Sequence, residues 1–262
     1  MPYENINGLV DLESEPRFKI AVVGEPKAGK SWFAMTAPGT IFEADFDDRS
    51  ESIRAFVNKT KRTDITAKTY KELNPAQPHA IADFETDLSM FEYLKQKGEK
   101  TPDWYILDSM TYLRTACEHE LIKQHPSMSR VVKMGNTTVR IPSHYDIING
   151  NRAYMEYLLG RLSELGNVIA IFHEMDEKDA QSSTKEQKAY TGRKTVQPQY
   201  LSSLLSLFND VFRITIDYSG NRIVAVQPSS DFMASTSMRL DATESANLAD
   251  MIAKHKKALA QV

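Results

Sequence analysis

Gly24-Glu25-Pro26-Lys27-Ala28-Gly29-Lys30-Ser31 follows the spacing G-x-x-x-x-G-K-[ST], and this stretch decides the fold. Glycines at Gly24 and Gly29 allow a tight turn whose backbone N–H groups face inward and cradle phosphate oxygens. Lys30 sets a positive charge against the β- and γ-phosphates of a nucleotide, and the Ser31 hydroxyl is a ligand for Mg2+. The helix starting there adds the positive end of its dipole. Gly24 to Ser31, with Trp32 next in line, are the expected cofactor-binding residues, and ATP and Mg2+ the expected cofactors. The motif requires a strand before it and a helix after it. Phe18-Lys19-Ile20-Ala21-Val22-Val23 suits a buried strand, and Trp32-Phe33-Ala34-Met35 continues as a helix until Pro38 and Gly39 stop it.

Outward from the loop, strands and helices alternate. Thr40 to Ala44 reads as a second strand and Ala67 to Tyr70 as a third. Ile81, Phe84, Leu88, Phe91 and Leu94 recur at helical spacing. Trp104 to Leu107 is a buried strand, and Met110, Leu113, Cys117 and Leu121 mark the next helix. Tyr145 to Leu165 is a further helix with Gly166 as its stop. Val168 to Phe172 is a fully apolar strand, and Leu201, Leu204, Leu205 and Phe208 form a helical stripe. Val211 to Ile216 and Ile223 to Val226 are strands joined by the hairpin signal Ser219-Gly220-Asn221. Glu244 to Leu259 closes the pattern as a helix. The expected class is α/β, a mostly parallel sheet flanked by helices with a C-terminal β-hairpin and helix. Residues 1–16 read as an arm, 17–240 as the core and 241–262 as the terminal helix.

A net charge of −3 makes the chain no polycation, so nucleic-acid binding must come from a local basic surface. Cys117 is the only cysteine, which suits a reducing, cytoplasmic setting and packing as a small hydrophobe. No leader-like start and no bilayer-length apolar run stand in the sequence, so no membrane association is expected.

Three further stretches carry chemistry. The strand ending in Asp108 offers a carboxylate to the Mg2+ near Ser31; an aspartate there is also a good helix cap. The second strand runs into Glu43-Ala44-Asp45-Phe46-Asp47-Asp48-Arg49, an acidic cluster with Glu43 and Asp45 on one side. Phe172-His173-Glu174 ends another apolar strand in a hydrogen-bonding side chain.

In this order the parts resemble the phage-encoded RecA-like P-loop ATPases, including their single-strand annealing and recombination proteins. The matching residues are Gly24 to Ser31, Glu43-Ala44-Asp45, Ile106-Leu107-Asp108-Ser109 and Ile171-Phe172-His173, with Thr191-Gly192-Arg193-Lys194 and Val211-Phe212-Arg213-Ile214 beyond them. Together they span Phe18 to about Arg239. AAA-plus ATPases usually carry a catalytic glutamate where Ser109 stands. The RecA branch instead places its water-activating carboxylate after the second strand. The resemblance therefore implies a RecA-like core with Asp45, and Glu43 second, as the water-positioning residue. It implies Lys30 as a catalytic cation and His173 as a γ-phosphate sensor. RecA proteins carry glutamate where Asp45 stands, and the shorter side chain implies slower hydrolysis.

RecA-like proteins hold single-stranded DNA with two loops, after the Walker B helix and after the sensor strand. The first corresponds to Gln124 to His144, which carries Arg130, Lys133 and Arg140 without an acidic residue. The second, Glu174 to Gln199, contains Lys188 among several acids, and Tyr190 as a stacking residue. Arg193, Lys194 and Arg239 are candidates to reach a phosphate held by a neighbouring subunit. The implied partners are single-stranded DNA and further copies of the chain, with ATP at subunit boundaries. A nucleotide-gated scaffold with little hydrolysis, or a nucleotide kinase, are the alternatives.

Overall fold

Six parallel strands of one sheet lie side by side, and the phosphate loop leaves from the second of them. A computed structural model of the chain describes residues 17–72, 77–134, 137–142, 145–178 and 190–261; the N-terminal arm and Lys188 lie outside them. The chain begins with β1 (Lys19–Gly24), α1 (Lys30–Ala34), β2 (Ile41–Asp45), α2 (Ser50–Thr60) and β3 (Ile65–Thr69). It continues through α3 (Ala80–Gln96), β4 (Trp104–Asp108), α4 (Met110–Gln124), β5 (Ser129–Met134), β6 (Thr137–Pro142) and α5 (Tyr145–Leu165). The last part holds β7 (Asn167–Lys178), β8 (Tyr190–Val196), β9 (Asp210–Ile216), β10 (Arg222–Ala225), β11 (Thr243–Ser245) and α6 (Leu248–Leu259).

Among the described residues the main sheet has nine strands, in the order β11-β10-β9-β1-β7-β4-β2-β3, with β8 added to β7. The run from β9 to β3 is parallel throughout, and β10 and β8 pair antiparallel with their neighbours. Every residue of β2 and β4 is buried, as befits central parallel strands covered on both faces. One core packs α3, α4 and α5 on the sheet through Phe84, Leu88, Leu113, Cys117, Met155 and Leu162. The opposite core packs α1, α2 and α6 through Phe33, Met35, Ile53, Phe56, Met251 and Ile252. This is the α/β P-loop fold expected from the motif order. No helix among the described residues is long and apolar enough to cross a membrane.

Several local expectations are corrected. The segment Gln124 to His144 contains a β-hairpin, β5 with β6, in place of a loop. Val131, Val132, Val139 and Ile141 are β-branched and favour extended backbone in both arms. Likewise β7 runs on past His173 to Lys178, and β8 returns beside it. The Leu201 stripe is 3-10 helix from Gln199 to Leu207, and α6 starts at Leu248 after an edge strand. The side chain of Asn247 accepts from the Asp250 N–H at 3.3 Å, capping α6 later than the apolar pattern suggests.

Helix α1 has only five residues, so it cannot hold itself together. Arg62 holds it from outside. Its guanidinium donates to the carbonyls of Met35, Ala37 and Gly39, each at 2.7 Å, while Asp64 grips it from behind at 2.7 and 2.8 Å. Arg62→Ala strips those carbonyls of their donor and is expected to cost about 1–3 kcal/mol of stability, read as a lowered denaturation midpoint with an unchanged slope.

Candidate nucleotide site

Register brings the chemical residues to one edge. Gly24 pairs with His173 across β1 and β7, and Asp45 pairs with Asp108 across β2 and β4. Parallel strands that end together leave a crevice beyond their C-terminal ends, where ligands of open α/β sheets bind.

The phosphate loop occupies that crevice. A Cβ at Gly24 would stand 2.6 Å from the Ile214 carbonyl oxygen, so only glycine lets the loop leave β1 this close to β9. Gly29 lies at φ +97, in the left-handed region, and opens α1. Lys30 is buried and folds back over the loop, donating to the carbonyls of Gly24 at 2.9 Å and Glu25 at 2.8 Å. Burial lowers its pKa to about 8, against a pull upward from Asp108. Ser31 donates its hydroxyl to Asp108 Oδ2 at 2.5 Å. Burial raises the pKa of Asp108, and that same hydrogen bond opposes the rise. The two residues expected at Mg2+ are therefore in contact. No group of three or more His, Cys, Asp or Glu side chains among the described residues gathers to hold a metal.

The acidic cluster divides its labour. Asp45 spends both oxygens on backbone, accepting from the Asp47 N–H at 3.0 Å and the Arg49 N–H at 2.9 Å. It shapes the turn into α2, and burial raises its pKa. That turn aims Asp47 inward, with Oδ2 3.6 Å from His173 Nε2 and 2.5 Å from Arg49 Nε. Glu43 is 1% exposed, with Oε2 lacking a hydrogen bond. Burial first, then Asp108 and Asp45, push its carboxyl well above the usual range. Asp47 and Arg49 stood in the acidic stretch, but nothing in the spacing singled them out. Only the Asp45 turn, a contact between backbone and side chain, reveals their direction.

Of the other expected residues, Lys194 lies at the loop of its own chain, 3.6 Å from Glu25 and 3.0 Å from Asp176. Arg193 precedes it on β8 and projects to the other face. Arg239 packs on α6, donating to the Ala258 carbonyl at 3.3 Å. On the β5–β6 hairpin, the pairing of Val131 with Arg140 puts Lys133 and Arg140 on one face and Arg130 on the other. Glu174, directly after His173, forms a bidentate pair with Arg213 of β9 at 2.8 and 2.9 Å.

Residues 17–237 match a family described as an AAA domain, AAA_24. The chain belongs to this family of P-loop ATPases. No curated protein matches it. Among solved structures it is similar to an ATPase of the type III secretion system of pathogenic bacteria, at 16% identity and a TM-score of 0.47. The match covers 76% of this chain and 52% of that one, so the chain spans about half that ATPase's length.

As an AAA-domain ATPase, the protein has two titratable groups whose contributions both decline as pH rises, one read in ligand affinity and the other in stability. Lys30 binds phosphates only when charged. ATP affinity measured by calorimetry should hold below pH 8 and fall as pH rises through about 8. Glu43 has a folded pKa above its unfolded one. Its contribution to stability is complete below the usual glutamate pKa and is lost as pH rises toward the raised value. Glu43→Gln removes that loss, so the variant should melt higher than the parent at pH 8, with the margin shrinking toward pH 5.

Proposed function

We propose that the chain is an ATP-binding and ATP-hydrolysing protein of the RecA-like type. In this reading it acts on single-stranded DNA, as in phage recombination, annealing or replication, within the cytoplasm. The observation that carries the reading is continuity of backbone. Strand β4 ends at Asp108 in the nucleotide crevice, and α4 leads from there straight to the basic hairpin β5–β6. Strand β7 holds His173 at the crevice and runs on to the pair it makes with β8. Each proposed DNA element is thus joined along the chain to a strand at the nucleotide site, the hairpin through α4 and the β7–β8 pair directly.

ATP with Mg2+ would be held by the loop N–H groups, Lys30 and Ser31, with Asp108 behind, and would supply the γ-phosphoryl group for transfer to water. The chain's own part is positional and electrostatic. Lys30 swings from its loop carbonyls to the outer phosphates. Asp45 sets the turn and, with Glu43 behind it, is the proposed site for the attacking water; Asp47 offers the inward carboxylate beside His173. His173, packed edge-on against Tyr112 of α4 with ring centroids 6.4 Å apart, links the crevice to the helix that carries the hairpin. ATP would sit between copies of the chain. Arg193, Lys194 and Arg239 are the proposed residues to act across such a boundary, and Lys194 already lies beside the loop of its own chain.

Filter retention of single-stranded DNA at low salt, with and without ATP, tests the reading. ATP-dependent retention is expected, with a loss of at least about tenfold when Arg130, Lys133 and Arg140 are all replaced by alanine. ATP binding by that variant should be unchanged. Equal retention with and without ATP, or none at all, would sink the DNA role.

A further inference from the structure

Arg222 opens β10, directly after a turn that is tightly built. Asp217 Oδ1 accepts from the N–H groups of Ser219 at 2.9 Å and Asn221 at 2.8 Å, and Gly220 takes φ +82. Strand β9 before the turn pairs with β1, the strand that ends in the phosphate loop. The origin of the Arg222 side chain is therefore fixed relative to that loop.

The side chain lies across Gly29. A Cβ added there would stand 2.3 Å from Arg222 Nε and 2.5 Å from its Cδ. Among the described residues the exposed guanidinium has no hydrogen bond or ion pair. An arginine laid over a phosphate loop with no acid to hold it has its donors free for a ligand.

Beside it opens a cavity of about 390 Å3, walled by Gly29, Trp32, Thr36, Phe56, Asn221 and Arg222. Gly29, Trp32 and Thr36 follow helical spacing, so this cavity is one flank of α1, beginning where the loop ends. Trp32 meets Phe56 edge to face at 5.4 Å, giving the cavity an aromatic wall. Its size and its mixture of aromatic and polar lining suit the nucleoside part of a nucleotide.

We propose that this cavity seats the nucleoside and that Arg222 pairs with the α-phosphate of the same nucleotide. The proposal rests on the nucleotide-binding reading of the phosphate loop. It adds a same-chain cation from the β9–β10 hairpin, outside every motif. Lys30 serves the β- and γ-phosphates, and Arg222, beyond Gly29, serves the inner end. Because the α-phosphate is common to ATP and ADP, Arg222 sets affinity for both and leaves the preference between them unchanged.

Calorimetric titration of the full chain with ATP and ADP, in Mg2+, tests this. Arg222→Ala should weaken both nucleotides by a similar factor, about tenfold, and Arg222→Lys should restore part of it. The melting temperature should not move, because the side chain has no partner to lose. Trp32 fluorescence should change with ATP and ADP but not with pyrophosphate, which fills the loop without entering the cavity. Unaltered binding by Arg222→Ala, a loss confined to ATP, or an equal Trp32 response to pyrophosphate would overturn the assignment. If the parent chain binds neither nucleotide, the nucleotide reading itself falls; if it binds both and Arg222→Ala binds equally, only the role of Arg222 falls.

Discussion

The hydroxyl of Ser31 against the carboxylate of Asp108 joins two parts of the chain that are far apart in sequence, 77 residues, and adjacent in space. One part is the mobile kind of backbone, a glycine-containing loop. The other is the end of a strand buried on both faces. The contact anchors the loop to a strand inside the main sheet. It exists only because β7 is inserted between β1 and β4, which sets the two strand ends one strand apart. The crevice, the direction of α1 and the place of the acidic turn all follow from that spacing.

Around this anchor the polar groups fall into two classes. Some are satisfied within the fold, such as Asp45 by its turn and Glu174 by Arg213. Others are buried and incompletely bonded: Glu43, Ser109 and His173 each keep a side-chain atom without a hydrogen bond among the described residues. Burying an unsatisfied polar atom costs roughly 1–3 kcal/mol, so several at one edge is a concentration of unfavourable free energy. Such concentrations occur where a ligand completes the bonding.

Much of this was legible beforehand. The loop, the apolar strands and the long helices are local patterns, and β2, β4, α5 and the β9–β10 hairpin lie close to where spacing puts them. The β5–β6 hairpin is not legible in the spacing, because Val131 and Val132 stand side by side in β5 and only Val139-Arg140-Ile141 alternates in β6. The 3-10 geometry of the Leu201 stripe was missed because apolar spacing of three and four does not distinguish it from an α-helix. At the site, Lys30, Ser31 and Asp108 are bound to a motif and were readable. Asp47, Arg49 and Arg222 take their place from a turn or a hairpin whose direction depends on tertiary contacts, and no spacing rule encodes that.

The back-folded Lys30 has a consequence for ligand entry. With its ammonium shared between the Gly24 and Glu25 carbonyls, one cation ties the loop to itself. Ligand entry is then an exchange of partners for one cation, with the number of bonds nearly conserved. Carbonyls are neutral acceptors and phosphate oxygens are charged ones, so the exchange replaces neutral hydrogen bonds with charge-assisted ones. The loop is thus a latch that an anion opens and a neutral ligand does not.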